Sequence, residues 1–219
     1  MFSNIFICFL SIGNLHNSYE KGARIMEKLK QRIRDEGKIR GANEILKVDS
    51  FLNHQMDVAF LTEIGQEFRR RFDGCQVDKI LTIETSGIGI AMAASPAFGN
   101  VPVLFAKKNK TKNIAGDVFI SQAESFTQDR RPYNIFVSKE FLKAGEKVLL
   151  MDDFLANGSA LAALTDIAQQ AGAEVVGAAI VIEKTFQPGG QLIRDKGVRV
   201  ESLVRIEEMS EEKGVVFLD

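Results

Sequence analysis

Residues 148–160 run from four apolar residues into Asp152-Asp153, then through a loop of small residues into a helix-forming stretch. The segment reads as a buried parallel strand that stops at the acidic pair, because a run of Val, Leu and Met has no solvated face to spare. Ligands of open α/β sheets sit at the carboxyl ends of such strands. Two carboxylates can hold a vicinal diol. Backbone N–H groups at a helix start, approached across Ala156, Asn157, Gly158, Ser159 and Ala160, can hold a phosphate dianion. Gly158 relaxes the backbone there and Ser159 adds a hydroxyl. A ribose 5-phosphate presents both groups. Helix capping and a metal site are the other uses of an acidic pair in this position.

The rest of the chain repeats the theme. Short apolar strands are predicted at Lys79 to Glu84, Val101 to Ala106, Lys147 to Met151 and Glu174 to Glu183. Helical stretches at 90–98 and 159–171 intervene, so the fold class is α/β with a mostly parallel central sheet covered on both faces. Upstream, 26–36 is an amphipathic helix closed by Gly37. Segment 45–52 is extended, 53–57 is a turn, and Asp57 caps a helix over 58–72. Short strands at 202–206 and 215–218 finish the chain. The 39 or so residues from Lys107 to Gly145 exceed a simple α/β connection, for which about 2–6 residues suffice. Within them, 118–126 and 133–137 alternate as in a projecting hairpin, and the polar loop before it has the character of a lid.

Composition narrows the classes. With 28 basic and 29 acidic residues the net charge is −1, which argues against a nucleic-acid footprint. Cys8 and Cys75 form no disulfide framework, which favours a reducing cytoplasm. His16 and His54 are too few and too separated for a histidine metal site. Residues 1–25 differ in character from the remainder of the chain. An apolar run at Phe2 to Leu10 lacks the flanks of a signal peptide and is about half the ~20 residues that span a bilayer. Glu20-Lys21-Gly22-Ala23 is encodable by a purine-rich, ribosome-binding-like stretch before Met26. The expected division is therefore a leader or extension over 1–25 and one domain over 26–219, the alternative being a genuine N-terminal strand or arm.

The 148–160 segment resembles the phosphoribosyl-diphosphate (PRPP) signature of the type I phosphoribosyltransferases. It departs from that signature where Asn157 and Ala160 replace threonines, so backbone N–H groups must carry more of the phosphate. Four other segments resemble the family's xanthine branch, in order along the chain. Residues 46–55 are similar to its base-recognition segment, 83–87 to its pyrophosphate loop, 103–108 to the strand ending in basic residues, and 182–189 to its base-contacting loop. The resemblance covers Met26 nearly to the C-terminus. It implies the type I fold with a small hood and a hairpin lid, and transfer of a phosphoribosyl group from PRPP to xanthine. Asp152 and Asp153 would be catalytic. Glu84, Thr85, Ser86, Gly87, Lys107 and Lys108 would bind PRPP together with 156–160, and the 84–87 loop often holds a non-proline cis peptide. Leu46 would pack on the base and Asn53 bond it. Mg²⁺ would enter with PRPP rather than at a dedicated protein metal site, and a homodimer is expected, with neither nucleic acid nor membrane as partner.

Lys184 ends a core strand beside Phe186. An ammonium donates hydrogen bonds and accepts none, so facing position 6 of a purine it favours a 6-oxo over a 6-amino group. Phe186 either stacks on the base or belongs to the core. Two rivals stand: a guanine or hypoxanthine preference in the same enzyme class, and a non-catalytic PRPP-sensing regulator. The regulators carry a winged-helix domain before the core, which needs more residues than precede Leu46.

Overall fold

The structure is a computed structural model and describes residues 22–41, 45–108, 116–124 and 132–218. Nearly all of the expected leader (1–25) and most of the polar stretch before the hairpin (109–117) lie outside these residues.

A six-stranded sheet organises the chain. In chain order the elements are β1 (Lys38–Arg40), β2 (Ile45–Lys47), β3 (Lys79–Ile83), β4 (Val103–Ala106), β5 (Val118–Glu124), β6 (Pro132–Ser138), β7 (Lys147–Leu155), β8 (Glu174–Lys184), β9 (Val200–Ser210) and β10 (Gly214–Leu218). The central order is β10-β9-β8-β7-β3-β4, with every neighbouring pair parallel except β10 on β9. Helix α1 covers 22–36, followed by α2 (Val58–Arg71), α3 (Ser86–Ala94), α4 (Ser159–Ala171) and α5 (Gly189–Asp195).

Period-2 alternation along β7 decides which layer each side chain joins. Leu149 and Met151 pack into one core with Phe51, Phe60, Phe68 and residues of α1 to α3. Val148 and Leu150 pack into the other, with Leu161, Leu164 and Ile167 of α4 and Ile135 and Val137 of the hairpin. Both faces are thus covered, as near-continuous apolar strands require. The predicted hairpin is β5 on β6, in antiparallel register from Val118↔Ser138 to Glu124↔Pro132. It docks against α4 through Gln170 Nε2, which donates to the Ile120 carbonyl at 2.8 Å. β1 and β2 form a separate two-stranded hood.

Several boundaries differ from the sequence reading. β7 does not stop at the acids: Phe154 and Leu155 pair with Ile182 and Glu183, so the ladder of the long β8 carries the strand past them. The segment after β2 is a π-helical turn, Asp49–Asn53, rather than a strand. α3 begins at Ser86, inside the expected loop. α1 starts ahead of Met26, and Ile25 is buried in the core. Helix α5 and strand β1 were not foreseen. Asp57 caps α2 as expected, its carboxylate accepting from Phe60 N at 3.1 Å.

Candidate active site

The carboxyl ends of β7 and β8, the start of α4 and the π-helical turn surround a cavity of about 400 Å³. Asp152 and Asp153 stand in β7, 7% and 9% exposed. Asp153 N donates to Asp152 Oδ1, and Phe154 N to Asp153 Oδ1, both at 2.9 Å. Burial raises the Asp152 carboxyl well above the usual range, and the neighbouring Asp153 charge raises it further. The adjacent Tyr133 hydroxyl is raised as well, by burial and then by Asp152.

The loop between β7 and α4 is shaped by two glycines. Gly158 takes φ = 80°, and a Cβ there would come within 2.9 Å of Gly189 Cα. Gly189 N donates to the Ala156 carbonyl at 2.9 Å. Helix α5 therefore sits against the back of the loop, and neither glycine has room for a side chain. Asn157 Oδ1 accepts from Ser159 N at 3.0 Å. The first-turn N–H groups of α4 have no intrahelical acceptor, and Ala156, Asn157, Gly158 and Ala160 line the cavity. Such an arrangement can cradle an anion with its backbone. Ser159 is placed differently: its hydroxyl accepts from Glu124 N, at the end of β5.

The loop after β3 reaches the acids. A Cβ on Gly87 would lie 3.4 Å from Asp152 Oδ1, so the Gly87 backbone lies beside that carboxylate. The Glu84-Thr85 peptide is cis. Glu84 Oε2 accepts from Lys108 N at 2.9 Å. Lys108 lines the cavity, with its ammonium 5.5 Å from the Tyr133 ring centroid. Lys107 instead exchanges backbone hydrogen bonds with Phe136.

Opposite lie Leu46, Asn53 and Lys184, all at the cavity wall. Lys184 is buried, its ammonium 5.4 Å from the Phe154 ring centroid. Asn53 Nδ2 donates to Asp153 Oδ2 at 3.3 Å, while its buried Oδ1 has no partner among the described residues. Phe186 is 44% exposed and lies outside the described cavity wall. The aromatic wall comes from Phe154 and Tyr133, which the sequence reading did not single out. For Phe154 a signal existed, since it follows the acids directly and precedes the anion loop.

Residues 47–208 match the model of the phosphoribosyl transferase domain. A xanthine phosphoribosyltransferase 1 of Clostridium perfringens is 55% identical over 188 residues, covering 86% of this chain and 98% of that protein. The xanthine phosphoribosyltransferase of Clostridioides difficile is 53% identical over 184 residues, covering 84% and 96%. Among solved structures, an adenine phosphoribosyltransferase from Thermoanaerobacter pseudethanolicus superposes with a TM-score of 0.66 at 18% identity, covering 82% of this chain and 99% of that one. At that identity the likeness carries the fold alone.

Proposed function

This chain belongs to the phosphoribosyl transferase family, and from that premise we propose that it joins xanthine to the phosphoribosyl group of PRPP, releasing pyrophosphate and forming xanthosine 5′-monophosphate. The observation that carries the reading is the shared cleft: the backbone cradle and a donor-only lysine line one cavity, and the buried acidic pair stands directly behind its wall, where Asn53 bonds Asp153. The names of relatives at 52–55% identity point to the same base.

In the reaction the bond from ribose C1 to the diphosphate oxygen breaks and a bond from C1 to N9 of the base forms. Charge develops on the ribose ring, so positioning and electrostatics supply the rate rather than a covalent intermediate. Asp152 and Asp153 accept hydrogen bonds from the ribose hydroxyls and favour the developing positive charge. The cradle at 156–160 holds the 5-phosphate. Residues 84–87 and Lys107 or Lys108 face the diphosphate. The hairpin closes over the site as a lid and excludes water.

Base choice depends on which groups donate. The Asp153 carboxylate only accepts, so it fixes the Asn53 amide with nitrogen toward the acid, leaving the buried oxygen without a partner among the described residues. The second N–H of that nitrogen can meet the 2-oxo group of xanthine, where guanine carries an amino donor. Lys184 meets the 6-oxo group. Among the described residues no cluster of three His, Cys, Asp or Glu side chains could hold a metal. Two carboxylates beside a diphosphate nonetheless fit Mg²⁺, which takes one or two protein oxygens plus substrate phosphates. Bound there, Mg²⁺ would make pyrophosphate a better leaving group. A homodimer in the cytoplasm completes the reading; no helix among the described residues is long and apolar enough to cross a membrane.

The test is pyrophosphate release from PRPP with xanthine, guanine and hypoxanthine in competition. Xanthine is expected to win by about 10²-fold or more, as a site whose polar groups are left unpaired by the wrong base discriminates strongly. A preference for guanine overturns the assignment, and Asp153→Asn turning over at the wild-type rate overturns the role of that carboxylate.

A further inference from the structure

The base-binding side of the cavity rests on a turn that has little regular structure to hold it. Asn53 is the last residue of the five-residue π-helical segment Asp49–Asn53, whose N-terminal end has no side-chain cap. Its surroundings converge on one side chain of α1, more than a dozen positions away in sequence. Arg32 Nη1 donates to Asp57 Oδ2 at 2.7 Å, and Arg32 Nε donates to Glu36 Oε1 at 2.8 Å. The guanidinium also lies over two rings, 4.4 Å from the Phe51 centroid and 4.9 Å from that of Phe60. Those rings meet edge to face at 5.9 Å.

Each of these partners is tied to the turn. Phe51 belongs to it, two residues before Asn53. Ser50, also in it, donates from its hydroxyl to Glu36 Oε2 at 2.5 Å. Asp57 N donates to the Phe51 carbonyl at 3.1 Å, and Asp57 caps α2. One planar cation thus joins the end of α1, the π-helical turn and the start of α2 in a closed ring of contacts. A guanidinium suits this position because it can bond two carboxylates in its plane while its face stacks on an aromatic ring.

We propose that Arg32 is a positioning residue for base recognition, setting the place of Asn53 from outside the cavity through Phe51, Ser50–Glu36 and Asp57. It lies outside the described cavity wall, so its effect passes through the turn. The proposal rests on the reading of the cavity as a base site. It predicts a separation between the two substrates, because the phosphate cradle is built on β7, α4 and α5 and shares none of these contacts.

The experiment measures KM for xanthine and for PRPP, with Tm, in Arg32→Gln, Arg32→Lys and Ser50→Ala. Ser50→Ala is an exposed-site change that removes only the tie to Glu36 and keeps the test open if the Arg32 variants fold poorly. Arg32→Gln is expected to raise KM for xanthine about 10-fold or more, since a displacement of ~1 Å in a positioning contact costs up to about 10²-fold. KM for PRPP is expected to stay within about two-fold, as the phosphate cradle is untouched and only the long Asn53–Asp153 hydrogen bond connects the turn to the ribose side. Arg32→Lys keeps the charge, loses the fork and recovers part of the loss, and Ser50→Ala raises KM for xanthine by about 2–5-fold. Asn53→Ala serves as the reference for the base site. If Asn53→Ala weakens xanthine and neither Arg32→Gln nor Ser50→Ala does, or if both KM values rise together, the proposal fails. If Asn53→Ala leaves xanthine unaffected, the base-site reading fails with it.

Discussion

Asp152 and Asp153 are adjacent in sequence and alternate in direction along β7, and that single fact gives them different surroundings. Asp153 meets Asn53 of the π-helical turn, whereas Asp152 lies beside Gly87 and its charge acts on the Tyr133 hydroxyl. Burial, then the Asp153 charge, raises the Asp152 carboxyl. An acid whose folded value is raised stabilises the fold fully below its unfolded value, and that contribution is lost as pH rises through the folded value. Above its raised folded value the ionised Asp152 therefore opposes folding in the absence of substrate. Asp152→Asn is expected to raise Tm by about 2–8 °C at pH values above that raised folded value, at about 2–4 °C per kcal/mol. The gain should shrink as pH falls through the raised folded value. Activity should fall with it, since the ribose hydroxyls lose a charged acceptor. Thermal melts from pH 4 to 9 check this, and a gain that is constant across that range contradicts it. The acidic pair was legible from sequence because two carboxylates after an apolar run are chemically loud. Phe154 and Tyr133 were not, because an aromatic residue on a strand has the same signature in a core as at a cavity wall.

At the scale of elements, the anion loop depends on the helix behind it. Gly158 at positive φ and Gly189 at the start of α5 touch through their backbones, so the loop's curvature is set by contact with a helix thirty residues later. Gly158→Ala adds a Cβ 2.9 Å from Gly189 Cα and forces an L side chain into the left-handed region. It is expected to cost about 1–3 kcal/mol of stability. PRPP affinity should fall more than xanthine affinity. Equilibrium binding of each substrate, beside a denaturant melt, separates the two effects; equal losses for both substrates would remove the loop's assignment to the phosphate. Most elements were readable from their periodicity, and α4 matched residue for residue because Gly158 and Gly172 bracket it with left-handed caps. The errors share a cause. β7 runs past the acids because β8 offers a ladder partner, and a pairing partner is invisible in the strand's own residues. The π-helical turn at Asp49–Asn53 looked extended because its buried Phe51 and Leu52 are spaced for no regular helix. α5 was missed because it opens on two glycines, although Pro188 before it is a start signal.

Across the whole molecule, two buried carboxylates meet at one residue of β9. Glu183, at the end of β8, receives both terminal nitrogens of Arg194 from α5, at 2.6 and 2.8 Å. The Ser202 hydroxyl donates to the same carboxylate at 2.5 Å. On the other face, Glu67 of α2 takes Arg70 and Arg71, and Arg71 donates to the Ser202 carbonyl at 2.8 Å. One chain of charged hydrogen bonds therefore runs from α2 through β9 and β8 to α5, linking the two layers. Burial works to raise both carboxyls, yet the paired cations and hydroxyl outweigh it and hold them below the ordinary value of 4.5. An acid lowered in this way stabilises the fold above its unfolded value and loses that contribution as pH falls through the folded one. The sign is opposite to that of Asp152, so the protein should lose stability in acid from about pH 4.5 downward, where these pairs break. Glu183→Gln removes the charge paired with Arg194, whose guanidinium is 35% exposed and still feels Glu201, and is expected to cost about 1–3 kcal/mol near neutral pH. The deficit relative to wild type should narrow as pH falls below the ordinary glutamate value. Denaturant unfolding of both proteins at pH 7 and in mild acid measures that narrowing. A deficit that stays the same at both pH values would mean that Glu183 holds the layers together by its shape and not by its charge.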